Sequence, residues 1–188
     1  MTPLKQLKHY TYADYLTWDG DSRYEIIDGV PYAMAGASSA HQEISMALSV
    51  QIGAFLKGKA CRVYAAPFDV RLNANDKDDT VVMPDLLVVC DKSKIKKNYC
   101  IGAPDLIIEI LSTSTAKLDR IIKLNRYMRA GVREYWIVDP DNETVQVFLL
   151  KDGNYYVSAY DYDKIDTIPV HVLDGCEINL NDVFEKTR

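Results

Sequence analysis

The chain has 188 residues, with 22 Lys plus Arg against 27 Asp plus Glu and a net charge of −5. That length buries a substantial core without metal or disulfide staples, and the acidic balance argues against a protein that coats nucleic acid through bulk charge. No apolar run approaches a membrane span. The N-terminal stretch MTPLKQLKHY lacks the apolar core of a secretory signal. A single domain over 1–188 is expected, and a cytoplasmic one.

Residues 10–18 read as a short helix with Tyr12, Tyr15 and Leu16 inward. YEIIDGVPYAM reads as a hairpin around Asp28-Gly29, a two-residue turn signal. Ser38 or Ser39 caps the next helix, whose apolar positions Ile44, Leu48, Ile52 and Phe55 step by three or four. CRVYAAPFDVRL supplies one or two strands separated by Pro67. TVVMPDLLVVC reads as one long, nearly all-apolar strand, and APDLIIEIL as another, with the basic loop KSKIKKNY between them. Apolar strands of this type lie centrally in a sheet covered on both faces.

Residues 115–130 read as a helix with Leu118, Ile121, Leu124 and Met128 as its buried stripe, closed by Gly131. EYWIV follows as a strand, TVQVFLL and YYVSAY form a hairpin around Asp152-Gly153, and INLNDVF ends in a short helix. This order predicts an α/β (α+β) architecture rather than a bundle or a barrel.

Four cysteines, at 61, 90, 100 and 176, show no C-x-x-C spacing. Reduced, mostly buried thiols are the expectation. The chain also lacks HExxH, Walker, GxGxxG and GxSxG motifs, which removes the sequence support for a zincin, an NTPase, a dinucleotide enzyme or an α/β-hydrolase.

The informative feature is a carboxylate in each of two apolar strands. Asp85 sits in VVMPDLLVVC, on the face of Met83, Leu87 and Val89 by alternation, and Glu109 sits in DLIIEIL with Ile107 and Leu111. Buried carboxylates need compensation. Either each pairs with an Arg or Lys across the sheet, or a divalent cation lies between them. Oxygen-only ligands suit magnesium or manganese better than zinc. In the following helix Lys123 is the basic residue best placed to return to the acids, and Asp119 shares its face.

YEIIDG (24–29), His41, PDLLVV (84–89), PDLIIEILSTST (104–115), the Asp119/Lys123/Tyr127 spacing and AGVREYWIVDP (130–140) together resemble the Uma-two family. These are restriction-endonuclease-like proteins of the PD-(D/E)XK nuclease superfamily. The resemblance implies a central mixed β-sheet flanked by helices, with an additional β-hairpin. It implies Asp85 as the motif aspartate and Glu109 as the second metal-binding acid, with the Ile110 carbonyl completing the site for Mg²⁺ or Mn²⁺. The superfamily lysine usually lies two residues after the glutamate, where this chain has Leu111. The resemblance therefore points to Lys123 on the next helix. Glu25 matches an extra early acid, with Glu43 as its competitor, and His41 matches a further family position. The implied activity is metal-assisted hydrolysis of DNA, with phosphates held by the 92–97 loop and the 117–133 segment. That segment carries six basic residues against one acidic. A homodimer is implied by the need to cut two strands. The alternative is a catalytically inactive nuclease-fold module for DNA binding or protein assembly.

Overall fold

The computed structural model describes residues 8–19, 23–113 and 115–184. Most of the N-terminal stretch read for a signal, and Ser114 of the STST run, lie outside them. In chain order the elements are α1 (Tyr12–Tyr15), β1 (Tyr24–Ile27), β2 (Val30–Ala33), α2 (Ser39–Leu56), β3 (Arg62–Ala65), β4 (Asp69–Arg71), β5 (Val81–Val82), β6 (Leu86–Val89), β7 (Tyr99–Ile101) and β8 (Leu106–Ile110). A π-helix (Leu118–Lys123) runs into α3 (Leu124–Ala130). Then come β9 (Glu134–Asp139), β10 (Thr144–Lys151), β11 (Asn154–Asp161), β12 (Thr167–Pro169), β13 (Glu177–Asn179) and α4 (Leu180–Phe184).

Both predicted two-residue turns form. Asp28 and Gly29 take φ of 50° and 78°, and Asp152 and Gly153 take 51° and 77°. Positive φ at both central residues is the twist that joins two antiparallel strands directly. Ser38 caps α2 by accepting the His41 N–H at 3.2 Å. Ile44, Leu48 and Ile52 are fully buried along one side of that helix, each contributing about 1.5–3 kcal/mol.

The larger sheet has the order β11-β10-β9-β8-β6-β3 and the smaller β2-β1-β5-β4-β7. β8 and β9 run parallel, and the π-helix and α3 form the crossover between them. The large sheet is covered on both faces. One core joins α2, α4 and the β12–β13 segment to Leu86, Ile108 and Trp136. The other joins Tyr127 and the small sheet to Leu87, Ile107 and Tyr135.

Four expectations need correction. Residues 80–90 are not one strand: β5 belongs to the small sheet and β6 to the large one. Asp85 therefore sits at the crossing between sheets rather than in mid-strand, and Pro84, which has no N–H for a ladder, stands at the break. Leu16 is 67% exposed rather than inward, because α1 ends at Tyr15. On the crossover helix Ile121 is 52% exposed, while Asp119, Lys123 and Tyr127 are buried. Finally, Cys61 and Cys90 form a disulfide, leaving Cys100 and Cys176 as free, buried thiols. The β3–β6 register pairs Arg62 with Val89, so the two cysteines occupy the next facing position. Among the described residues no helix is long and apolar enough to cross a membrane.

Candidate functional site

Asp85, Glu109, Lys123, Glu25 and His41 line one cleft of about 240 Å³. Each arrives from a different element. Glu25 comes from β1 and His41 from the first turn of α2. Asp85 lies at the break between sheets, Glu109 near the C-terminal end of β8, and Lys123 at the end of the π-helix. Glu43 lines a separate groove beside Met46 and Asp182, so of the two competing acids Glu25 is the one in this cleft.

The break at Pro84 shapes the end of β8. Leu86 pairs with Ile108, and extending that register sets Ile110 opposite Pro84, which has no N–H to donate. The Ile110 N–H leaves the ladder and donates to the Asp85 side chain, at 2.7 Å from Oδ2. Proline for the same reason gives no ladder donor to the Ile110 carbonyl. His41 Nε2 lies 3.1 Å from the same Asp85 oxygen. That hydrogen bond, with the Asp85 charge and a hydrogen bond to the Ile110 backbone, raises the imidazole above its ordinary value against the pull of burial.

Lys123 is the hub of the buried half. Its ammonium lies 2.8 Å from Glu25 Oε2, 3.0 Å from Glu109 Oε1 and 3.3 Å from Asp119 Oδ1. Burial alone lowers an ammonium's pKa, but Glu109, Glu25 and Asp119 together hold Lys123 well above its usual range. Glu109 Oε1 also accepts the Tyr127 hydroxyl at 2.7 Å, and Glu25 Oε1 accepts the Met83 N–H at 2.8 Å. Burial pushes the Glu109 carboxyl well up against the pull of Lys123, and it raises Asp119 in the same way. Asp119 Oδ1 is buried and makes no hydrogen bond of good geometry, so its contact with Lys123 is the weakest of the three. An ammonium has three donors, and three carboxylates lie within 3.3 Å of this one.

Asp119 and Tyr127 are the members that sequence reasoning did not place in the site. In the sequence Asp119 stands only as a neighbour of Lys123, and Tyr127 only as part of the spacing that carries the family resemblance. Their signal was the four-residue spacing Asp119/Lys123/Tyr127, which the π-helix converts into one buried polar line. A π-helix, bonded i to i+5, often marks a functional position in a helix.

The basic residues of 117–133 are largely engaged within the fold. Arg120 bonds Asp139 at 2.8 Å and Gln146. Arg126 reaches Asp28 and Thr80, each at 3.2 Å, and Arg133 reaches Asp105 at 3.1 Å. Lys117 and Arg129 stay exposed. The 92–97 loop leaves the C-terminal side of β6, away from Asp85, where Lys94 donates to the Ala103 carbonyl. It lies at the opposite end of that strand from the cleft.

Two mixed sheets with flanking helices, and a cleft at the end of two central strands of the larger one, define a restriction-endonuclease-like fold. A crystal structure of a protein described as a putative nuclease belonging to DUF820, from Anabaena variabilis, matches with a TM-score of 0.78. It covers 94% of this chain and 98% of that one at 19% identity. The family model described as "Uma2: Putative restriction endonuclease" matches residues 12–181, and the chain belongs to that family. Two uncharacterized Synechocystis proteins are similar as well. One, slr1290, is 30% identical over 151 residues, 78% of each chain. The other, sll1609, is 28% identical over 137 residues, 70% of this chain and 76% of that one.

Proposed function

We propose that this chain is a divalent-metal-dependent endonuclease that hydrolyses DNA phosphodiester bonds. The observation that carries the reading is the convergence of Asp85 and Glu109 on one open cleft with a buried lysine behind them. The family description supports the same reading.

The residues fit a hard divalent ion. Asp85 Oδ2 and Glu109 Oε1 carry the hydrogen bonds described above. Among the described residues no hydrogen bond is made by Asp85 Oδ1 or Glu109 Oε2. With the Ile110 carbonyl, these two oxygens would hold Mg²⁺ or Mn²⁺. Magnesium commonly takes one or two carboxylates and keeps several waters. Among the described residues no group of three or more His, Cys, Asp or Glu side chains is arranged to hold a metal, so the donor set proposed here is two carboxylates and a carbonyl. Acidic side chains outnumber basic ones on the cleft wall, where Glu25, Asp85, Glu109 and Asp119 stand against Arg23, Lys123 and His41, and a divalent cation would offset the carboxylates when a phosphodiester enters. When bound, the metal supplies a more acidic water and a polarised phosphate oxygen.

The chain's own groups set the rest. Tyr127 and Lys123 fix the Glu109 carboxylate by holding one of its oxygens. The Ile110 N–H and His41 fix Asp85 in the same way. Lys123 brings positive charge to the developing phosphorane. Asp119 is the contact it gives up most easily when it donates to a water or a phosphate oxygen. Glu25 anchors Lys123 to the small sheet through the Met83 N–H.

A second reading rests on the scarcity of free cations near the cleft: a nuclease-fold module that binds DNA or assembles with protein and does not cut. The deciding experiment incubates supercoiled plasmid and single-stranded DNA with wild type and Asp85→Ala, with Mg²⁺, Mn²⁺ or EDTA. Metal-dependent cleavage by wild type alone is expected. Equal cleavage by both removes Asp85 from the site. No cleavage by either, with DNA retained in a gel shift, favours the module.

A further inference from the structure

We propose that the free edge of β11 is a homodimerisation surface, on which a second copy of this chain adds its own β11 antiparallel to form a continuous sheet across the molecular two-fold. The inference does not depend on the activity proposed for the cleft.

β11 ends the larger sheet. It spans eight residues, Asn154–Asp161, and pairs with β10 without a bulge over its whole length. The two-residue turn makes Lys151 and Asn154 a mutually hydrogen-bonded pair, and the pattern then alternates along the hairpin. Asn154, Tyr156, Ser158 and Tyr160 therefore direct their backbone groups at β10. Tyr155, Val157 and Ala159 direct theirs outward, and among the described residues no backbone group bonds them there.

Sheet edges of monomeric proteins are usually blunted by shortness, proline, lysine or a bulge. The other edges here follow that practice. β3 has four residues, begins at Arg62 and is tied to β6 by the disulfide. β2 contains Pro31, and β7 has three residues. β11 has none of these devices. Its sequence NYYVSAYD holds no lysine, arginine or proline, and its one charge, Asp161, is already paired with Lys164 at 2.7 Å. Tyr156 and Val157, on opposite faces, are 57% and 56% exposed.

The occupant follows from self-complementarity. A two-fold axis at Val157 places Val157 against itself and Tyr155 against the partner copy's Ala159. All of these residues have outward backbone groups, so each N–H meets a carbonyl. On the flanking positions Tyr156 meets Ser158 and Asn154 meets Tyr160. No pair brings like charges together, which a chain of net charge −5 must avoid to self-associate.

The test measures mass by light scattering across a dilution series for wild type, Val157→Lys and Val157→Pro. Lysine sets like charges at the two-fold. Proline removes an N–H that β10 does not use, so the hairpin keeps its ladder, and an unchanged circular dichroism spectrum verifies the fold. The expected result is a concentration-dependent dimer for wild type and dissociation constants at least about tenfold weaker for both variants. The proposal is overturned if wild type stays monomeric up to about 0.1 mM, a concentration at which interfaces of ordinary affinity are formed. It is also overturned if the folded variants dimerise as tightly as wild type.

Discussion

The Lys123 ammonium lies 3.0 Å from Glu109 Oε1, with each side chain 5% exposed. The pair ties the crossover helix to the centre of the large sheet, and Glu25 and Asp119 close around the same cation. Breaking such a cluster by removing one partner leaves uncompensated buried charge, which costs about 3–5 kcal/mol. Lys123→Ala should therefore lose stability on that scale at neutral pH, together with turnover. The pH dependence has a definite sign. Burial already raises Glu109 and Asp119, and loss of the cation raises them further. Carboxyls whose folded pKa exceeds the unfolded value bind more protons when folded, so stability grows as pH falls. The defect should shrink as pH falls from neutral. Urea titrations at several pH values check this, and a defect that is constant with pH overturns the account.

Tyr127 is fully buried, and its hydroxyl donates to Glu109 Oε1 at 2.7 Å. Tyr127→Phe keeps the ring contact with Tyr135 at 5.0 Å and removes only the donor. The expected cost is about 1–3 kcal/mol of stability, with reduced turnover at saturating metal because one hold on Glu109 is gone. Tyr135→Phe is the matched control, since its hydroxyl donates to the Asp119 carbonyl at 3.1 Å rather than to Glu109. Comparable stability losses with a larger activity loss in Tyr127→Phe is the expected pattern. Equal activity in both variants assigns Tyr127 a packing role only.

Much of the fold was legible where local rules act alone. Asp28-Gly29, Asp152-Gly153, the Ser38 cap and the Ile44/Leu48/Ile52 stripe each follow from a few neighbouring residues, and all form. The crossover helix departs from its apolar stripe for a physical reason. Hydrophobic periodicity assumes that buried means apolar, whereas Asp119, Lys123 and Tyr127 are buried because they and Glu109 satisfy one another. The strand break at Pro84 lay hidden in a continuous apolar run, although the proline itself was the signal. The Cys61–Cys90 pairing depends on β3–β6 register, which no spacing along the chain reveals. Asp85 and Glu109 stood out for the opposite reason, as charges where apolar residues were expected.

Asp85 and His41 should separate by magnitude. Asp85 is the proposed ligand, and His41 contacts it at 3.1 Å. Loss of an outer-sphere partner typically costs about 10–100-fold in metal affinity or activity. His41→Ala should fall in that range and respond to raised Mn²⁺. Asp85→Asn should lose more and not recover, because the amide keeps the shape but not the charge that binds the ion. Metal titration of cleavage, with calorimetry of Mn²⁺ binding alongside, checks both. A His41 variant as impaired as Asp85→Asn makes the histidine part of the reaction itself.

The disulfide gives a prediction independent of any activity. Cys61 and Cys90 are 29 residues apart in sequence, and closing a loop of that size stabilises the fold by about 3–4 kcal/mol in the chain-entropy model. Burial pushes the Cys100 thiol up to about 11 and raises Cys176 as well, so neither free thiol is a ready nucleophile for exchange. Alkylation of denatured, unreduced protein followed by mass spectrometry should therefore label Cys100 and Cys176 and spare Cys61 and Cys90. Reduction should expose all four and lower the denaturation midpoint, and Cys61→Ser should reproduce that lowered midpoint without reductant. Labelling of all four cysteines before reduction, from protein purified without reductant, would show that the facing pair on β3 and β6 stays as thiols, and the midpoint should then be insensitive to reductant.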